Sequence, residues 1–425
     1  MKEIKLKGLD ISCFREKLKN GLEVILLPYE NKKNYFMSYA TRFGSEITTF
    51  TPIHSKKEIK VPDGIAHFLE HKMFAQEDGV DPFTYYSESG TGANASTSYD
   101  NTQYICYGTK KFEDNLRFLL KYVNSPYYTD ENVEAEKGII EEEIKMYDDI
   151  PDLQLEMKLR ENIFHRSTRR VDIAGTVEEI RKITKEDLYT CYENFYSPNN
   201  MFLLIVGNFE KEKAMEIIHQ ELDNKVNRGD PKVKNIRENK TVREAYEEFQ
   251  AIVKVPKLGV GIKVPTSDLS IHDDLLLDLY LNMISTVCFG SSSEFRERVR
   301  NEKLLNNFYM EWERTKDFKI LYLMASTDDA DALLEEIKLE LKDLVIPEDA
   351  FRRMKKVWIA NEVKMIDYID STVHNIFDDV LHYGDVIPNK LDIIRGLELE
   401  DLNSLIEEID FSNMAVVKML PKEEE

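Results

Sequence analysis

Residues 62–74 read PDGIAHFLEHKMF, and the histidines at 67 and 71 govern how the rest of the chain is read. Residues four apart on a helix lie one turn apart on the same face, so His67 and His71 present two imidazoles side by side. Glu70 stands between them, within reach of a water that a metal shared by the two histidines would activate. The order His-x-x-Glu-His is the inverted form of the His-Glu-x-x-His zinc motif.

A catalytic zinc takes three protein ligands and keeps a fourth position open, so one more ligand must come from elsewhere. The helical stretch DENVEAEKGIIEEEIKMYDD, residues 130–149, is the obvious source. Steps of three, four and seven align Glu136, Ile139, Ile140 and Glu143, and the expectation is that all four share one buried face. A carboxylate turned toward a core is costly unless it is paired or binds a metal. Glu141 and Glu142 fall off that stripe and are expected to be solvated.

Working outward, KLKNGLEVILLP (17–28) places an Asn20-Gly21 turn before an apolar run, which is a hairpin signal, and NYFMSYATRFG (34–44) reads as a further strand. After the motif come a short helix closing in Gly90, two strands in GTGANASTSY (90–99) and QYICYGT (103–109), two long helices near 111–124 and 130–149, and a buried strand in NNMFLLIVGNF near residue 200. Residues 224–245 are polar and charged with few large apolar side chains. These features divide the chain into a domain over 1–228, a linker over 229–242 and a second domain over 243–425.

The second half repeats the first. Glu186-Asp187-Leu188, followed by Asn200-Met201 and an apolar strand, has a counterpart in Glu400-Asp401-Leu402 followed by Asn413-Met414 and AVVKML, offset by 213 to 214 residues. That offset maps His67 onto Tyr280 or Leu281 and His71 onto Ile284 or Ser285, so the second copy lacks the histidine pair.

Composition narrows the function classes. With 57 basic and 79 acidic residues the net charge is -22, which disfavours nucleic acid and anionic membrane surfaces as partners. Cys13, Cys106, Cys191 and Cys288 are far apart and form no Cys-x-x-Cys pair, so they read as buried free thiols in a reducing compartment. The opening MKEIKLKGLD carries no apolar core of signal-peptide length, and a soluble cytoplasmic protein is expected.

In order, PDGIAHFLEHKMF, GANASTSYDNTQY (92–104), EKGIIEEEIKMYDD (136–149), DIAGTVEEI (172–180) and YSPNNMFLLIVGN (196–208) resemble the pitrilysin/insulinase-type metallopeptidases, most closely the short bacterial members related to processing peptidases. The resemblance implies an α+β fold of two repeated domains, each a mostly antiparallel sheet packed with helices. It implies one zinc ion per chain held by His67, His71 and Glu143, with Glu70 as general base and Glu136 as a second carboxylate beside the site. It further implies an endopeptidase acting on extended or unfolded peptides, which lie as an added strand against Gly92–Ser98, with Asn94 and Ala95 as contacts. Full-length family members also supply an arginine and a tyrosine from the half without zinc. Here EFRERVRNEKLLNNFYMEW (294–312) offers Arg300 for the arginine but Asn306 and Asn307 where the tyrosine belongs, with Tyr309 displaced. The resemblance also implies a dimer, and this departure from the family pattern points to a related subunit lacking the zinc motif as one form of it. The alternative function is the zinc-bearing subunit of a maturation factor that binds one specific peptide with little general proteolysis.

Overall fold

The computed structural model describes residues 1–342 and 344–422. Fifteen strands form among them: β1 (Lys2–Leu6), β2 (Ile11–Lys17), β3 (Glu23–Pro28), β4 (Tyr35–Thr41), β5 (Thr49–Thr51), β6 (Ile59–Lys60), β7 (Gly92–Thr97), β8 (Thr102–Gly108), β9 (Met201–Gly207), β10 (Lys232–Val233), β11 (Tyr246–Ala251), β12 (Lys257–Pro265), β13 (Asn307–Arg314), β14 (Phe318–Ser326) and β15 (Met414–Pro421). They build a seven-stranded sheet ordered β1-β2-β3-β9-β4-β8-β7, a small sheet β10-β5-β6, and a five-stranded sheet β11-β15-β12-β14-β13.

The repeat seen in the sequence is a repeat of topology. Strand β9 pairs parallel with β3 and antiparallel with β4, and β8 pairs antiparallel with both β4 and β7. In the second sheet β15 pairs parallel with β11 and antiparallel with β12, and β14 pairs antiparallel with β12 and β13. The five strands from β3 to β7 and the five from β11 to β13 thus share one order and one set of directions. This is an α+β architecture whose two larger sheets are antiparallel except at one pair each.

Strand β9 explains its own sequence. Its residues alternate between two apolar layers, with Leu203 and Ile205 on one face and Phe202, Leu204 and Val206 on the other. A strand covered on both faces reads as a continuous apolar run rather than an alternating one. The second layer is supplied by helix Ile369–Tyr383, whose Val373, Ile376, Phe377 and Val380 pack there. In the second sheet, Tyr322, Val417 and Met419 meet Leu155, Leu159 and Ile163 of helix Pro151–Ile163.

Those two helices occupy equivalent places in the repeat, and each belongs to the unit built mainly from the other half of the chain. One compact unit comprises 1–144, 172–235 and 362–390, and the other comprises 145–171, 236–361 and 391–425. Chain order and compactness therefore divide the molecule differently, because each unit takes in one helix from the other half of the chain.

The polar stretch before β11 is anchored within the second unit. The carboxylate of Glu238 accepts the backbone N–H groups of His165, Arg166 and Ser167 at 2.9, 2.7 and 2.8 Å. Lys263, fully buried, has its Nζ 3.3 Å from Oε1 of that carboxylate. In the position that matches the histidine helix, the second unit has helix Asp274–Phe289, with Tyr280, Leu281, Ile284 and Ser285 all buried in the core. By length and apolarity alone the stretch 274–301 is also able to cross a membrane, and half of its apolar window is buried here.

Candidate metal centre

The motif forms helix Ile65–Lys72. Eight residues are too few for a helix to stand alone, so tertiary burial holds it. Ile65, Ala66, Phe68 and Leu69 are at most 1% exposed and form its inner face. Burying Phe68 and Leu69 contributes about 1.5–3 kcal/mol each. The start of the helix is fixed by two glycines in the left-handed region, Gly64 (φ 86°) and Gly175 (φ 79°). A Cβ on Gly64 would lie 2.3 Å from the Ala174 carbonyl oxygen, and one on Gly175 would lie 2.5 Å from that of Asp63. The segment 172–180 is thus pressed backbone to backbone against the entry of the motif helix.

Helix Asp130–Asp148 brings the carboxylates. Val133, Ile140 and Ile144 form its buried stripe, whereas Ile139 is 58% exposed, so the expected four-residue buried face is corrected. At 100° per residue Ile139 points roughly 120° away from the centre of that stripe, while Glu136 and Glu143 sit on its border. The border position brings both carboxylates to the histidines. Glu141, expected to be solvated, accepts from Nε and Nη2 of Arg181 at 2.8–3.2 Å.

The donors converge. His67 Nε2 lies 3.8 Å from Glu143 Oε1 and His71 Nε2 lies 3.5 Å from Glu143 Oε2. One donor atom from each of the three residues fits within a span of 4.8 Å. Metal bonds of ~2.0–2.1 Å at a tetrahedral angle put donors about 3.3 Å apart, so the triangle is close to the size of a zinc site. Among the described residues it is the one such cluster. His67 is nearly buried, its Nδ1 has no hydrogen-bond partner, and its Nε2 reaches a carboxylate only at 3.8 Å. An imidazole left in that state has a lone pair to give. Two nitrogens and one carboxylate, with no fourth donor in the cluster among the described residues, match an open metal site.

Electrostatics agree. Burial pushes the His67 imidazole below its usual range, and the charge of neighbouring His71 adds to that, which keeps His67 neutral. Burial also works against a charged His71, but its hydrogen bond to Glu136 and that carboxylate's charge outweigh it and raise the imidazole. His71 Nδ1 is 3.0 Å from Glu136 Oε1, and Lys72 Nζ is 3.2 Å from Glu136 Oε2. Glu136 therefore stands behind His71 rather than in the triangle. Burial raises the carboxyl of Glu70, opposed by the hydroxyl of Thr97, which donates to Glu70 Oε2 at 2.5 Å.

Strand β7 ends its sheet, so among the described residues one side of its main chain has no neighbouring strand. Ala93 and Ala95 pack against the core on the face from which Thr97 reaches Glu70, while the Asn94 side chain is exposed on the opposite face. Arg300 lies exposed in the last turn of helix Glu294–Asn301, in the second unit. Tyr309, also there, is on end strand β13 with its hydroxyl donated to Glu311. Sequence reasoning missed Thr97 and Lys72. Thr97 was discoverable from the period of two along β7, which aligns it with Ala95 and Ala93; Lys72 carries no local signal.

Two family models match the chain. Residues 53–177 match insulinase (peptidase family M16), and residues 182–357 match the peptidase M16 inactive domain. The chain belongs to the M16 insulinase family. It is 34% identical to an uncharacterized zinc protease, YmfH, of Bacillus subtilis, over 99% of this chain and all of that one. A crystal structure of a putative M16-like peptidase from Alicyclobacillus acidocaldarius superposes with a TM-score of 0.92 at 30% identity, covering 98% of this chain and 100% of that one. The alpha subunit of the rat mitochondrial-processing peptidase is 34% identical over 38% of this chain and 32% of its own length. Membership of M16 agrees with the order of motifs and with two repeated domains.

Proposed function

We propose that this M16 protein is a zinc-dependent endopeptidase acting on extended or unfolded peptides. The observation that carries the reading is the triangle of His67 Nε2, His71 Nε2 and the Glu143 carboxylate, with Glu70 on the same helix as the histidines and hydrogen-bonded by Thr97. His67, His71 and Glu143 would hold zinc. When bound, the ion supplies a Lewis acid that acidifies a water and polarises the scissile carbonyl. Glu70, with Oε2 engaged by Thr97, takes the proton of the attacking water at Oε1 and delivers it to the leaving amine. Glu136 fixes the tautomer of His71 by accepting from Nδ1, which leaves the Nε2 lone pair for the metal. The free side of β7 receives the substrate main chain as an added strand, with contacts at Asn94 and Ala95. The net charge of -22 favours basic peptide segments.

The same reading makes the active form a dimer in the cytoplasm. Four free buried thiols fit a reducing compartment. A relative that is itself a subunit of a processing peptidase supports assembly with a second chain, and Asn306 and Asn307 at the tyrosine position favour a partner that supplies Arg and Tyr. Arg300 remains the candidate from this chain.

The test compares the wild type with Glu70→Gln for zinc content and cleavage of an unstructured basic peptide. Zinc in both and cleavage only in the wild type supports a self-sufficient peptidase, with a loss of about 10²–10⁴ in rate. Zinc in both with cleavage in neither supports the subunit form, and the assay is repeated with the partner. Absence of zinc from both refutes the reading.

A further inference from the structure

We propose that Lys72 is a positioning residue of the metal centre, holding Glu136 so that Glu136 can orient His71. The proposal rests on the reading of the triangle as a metal site. Lys72 closes the motif helix and is 4% exposed, a position at which an ammonium group is costly unless it is paired. Its Nζ lies 3.2 Å from Glu136 Oε2, while Glu136 Oε1 lies 3.0 Å from His71 Nδ1. The two oxygens of one carboxylate are thus committed to two neighbours in sequence, and turning the carboxylate away from His71 would also break its contact with Lys72. A His ligand whose second nitrogen is held by a carboxylate keeps one tautomer and one ring orientation. His67 has no counterpart, because its Nδ1 is buried without a partner. Outer support for the centre is therefore placed on the His71 side, and Lys72 is the cation at its end.

Two physical accounts of Lys72 predict opposite signs. If Lys72 acted only as a nearby positive charge, removing it would leave Glu70, Glu136 and Glu143 less compensated and a divalent cation would bind more tightly. If Lys72 positions Glu136, removing it frees the carboxylate to turn, and binding weakens despite the gain in negative charge. The shared use of one carboxylate, with partly buried contacts of 3.0 and 3.2 Å, favours the second.

Zinc is titrated into the metal-free full chain against a chromophoric chelator, for the wild type, Lys72→Met, Lys72→Arg, Glu136→Gln, the double variant Lys72→Met with Glu136→Gln, and His71→Ala. The expected result is a loss of roughly 10–100-fold in zinc affinity for K72M and for E136Q, the size known for groups supporting a ligand. The double variant is no weaker than the weaker single, because both act through one contact, and K72R stays within a few-fold of the wild type. K72M that binds zinc as tightly as the wild type, or more tightly, overturns the proposal, as does full additivity with E136Q. If K72M does not fold, judged by melting of the metal-free protein, Lys72→Gln is read by the same criteria. H71A separates the layers: unchanged zinc affinity in H71A removes the metal-site reading and the Lys72 proposal with it. A collapse in H71A with no change in K72M removes the Lys72 proposal alone.

Discussion

Glu313→Gln removes the charge at the centre of a buried ion cluster in the second unit. Glu313 Oε1 is 2.7 Å from Arg169 Nη1, Oε2 is 2.9 Å from Arg160 Nη1, and the Tyr322 hydroxyl donates to Oε2 at 2.7 Å. Burial by itself would push this carboxyl up, but Arg160 and Arg169 outweigh burial and hold it down to about 2. A fall from 4.5 to about 2 corresponds to about 3 kcal/mol of stability at neutral pH, at 1.36 kcal/mol per tenfold change in proton affinity. Breaking a buried ion pair from one side costs roughly 3–5 kcal/mol, so two independent routes give the same size. The chain's two tryptophans, Trp312 and Trp358, both lie in the second unit, so urea unfolding followed by tryptophan fluorescence reads that unit selectively. E313Q is expected to lose about 3 kcal/mol at pH 7. Because the folded pKa is depressed, this stabilisation is complete above the unfolded value near 4.5 and is lost as pH falls through the folded value near 2. The gap between the wild type and E313Q should therefore be flat from pH 8 to 5 and narrow below that. A gap under about 1 kcal/mol at pH 7, or one unchanged down to pH 3, would refute the account.

Three other outcomes follow from the same geometry. Glu238→Gln strips the charge that three backbone N–H groups and buried Lys263 share; it should cost roughly 3–5 kcal/mol by the same fluorescence assay and speed hydrogen exchange at His165–Ser167. Gly175→Ala forces a Cβ to 2.5 Å from the Asp63 carbonyl oxygen and should lower both melting temperature and zinc affinity; Gly79→Ala, at φ 72° with nothing within 4 Å, isolates the backbone strain and should leave zinc affinity alone. Thr97→Val deletes the hydroxyl that donates to Glu70, and kcat should fall roughly 10–100-fold with zinc content unchanged, since a hydrogen bond to a charged group is worth about 1.5–3 kcal/mol; an unaltered kcat would exclude a role for that contact.

Much was determined by the sequence alone. The four-residue spacing of His67 and His71 places both rings on one helical face whatever surrounds the helix, and the Asn20-Gly21 turn does join β2 to β3, with Gly21 at φ 96°. The repeat was legible as well, because Glu186-Asp187-Leu188 and Glu400-Asp401-Leu402 begin helices that precede β9 and β15, the strands holding the same place in the two sheets. These features are local, and periodicity and turn chemistry encode them directly. Tertiary structure decided what depends on distant pairs. Ile139 was read as buried because periods of three and four are equally allowed; which border of the stripe faces the core is chosen by packing. Strand β9 enters between β3 and β4 from well over a hundred residues away, and helices Pro151–Ile163 and Ile369–Tyr383 each cover a sheet of the other half's unit. The outer parts of the site are of the same kind: Lys72 meets Glu136 across 64 residues and Thr97 meets Glu70 across 27. A buried ion pair or a short hydroxyl contact leaves no period in the chain, because its partners are selected by the three-dimensional packing that brings two otherwise ordinary side chains together.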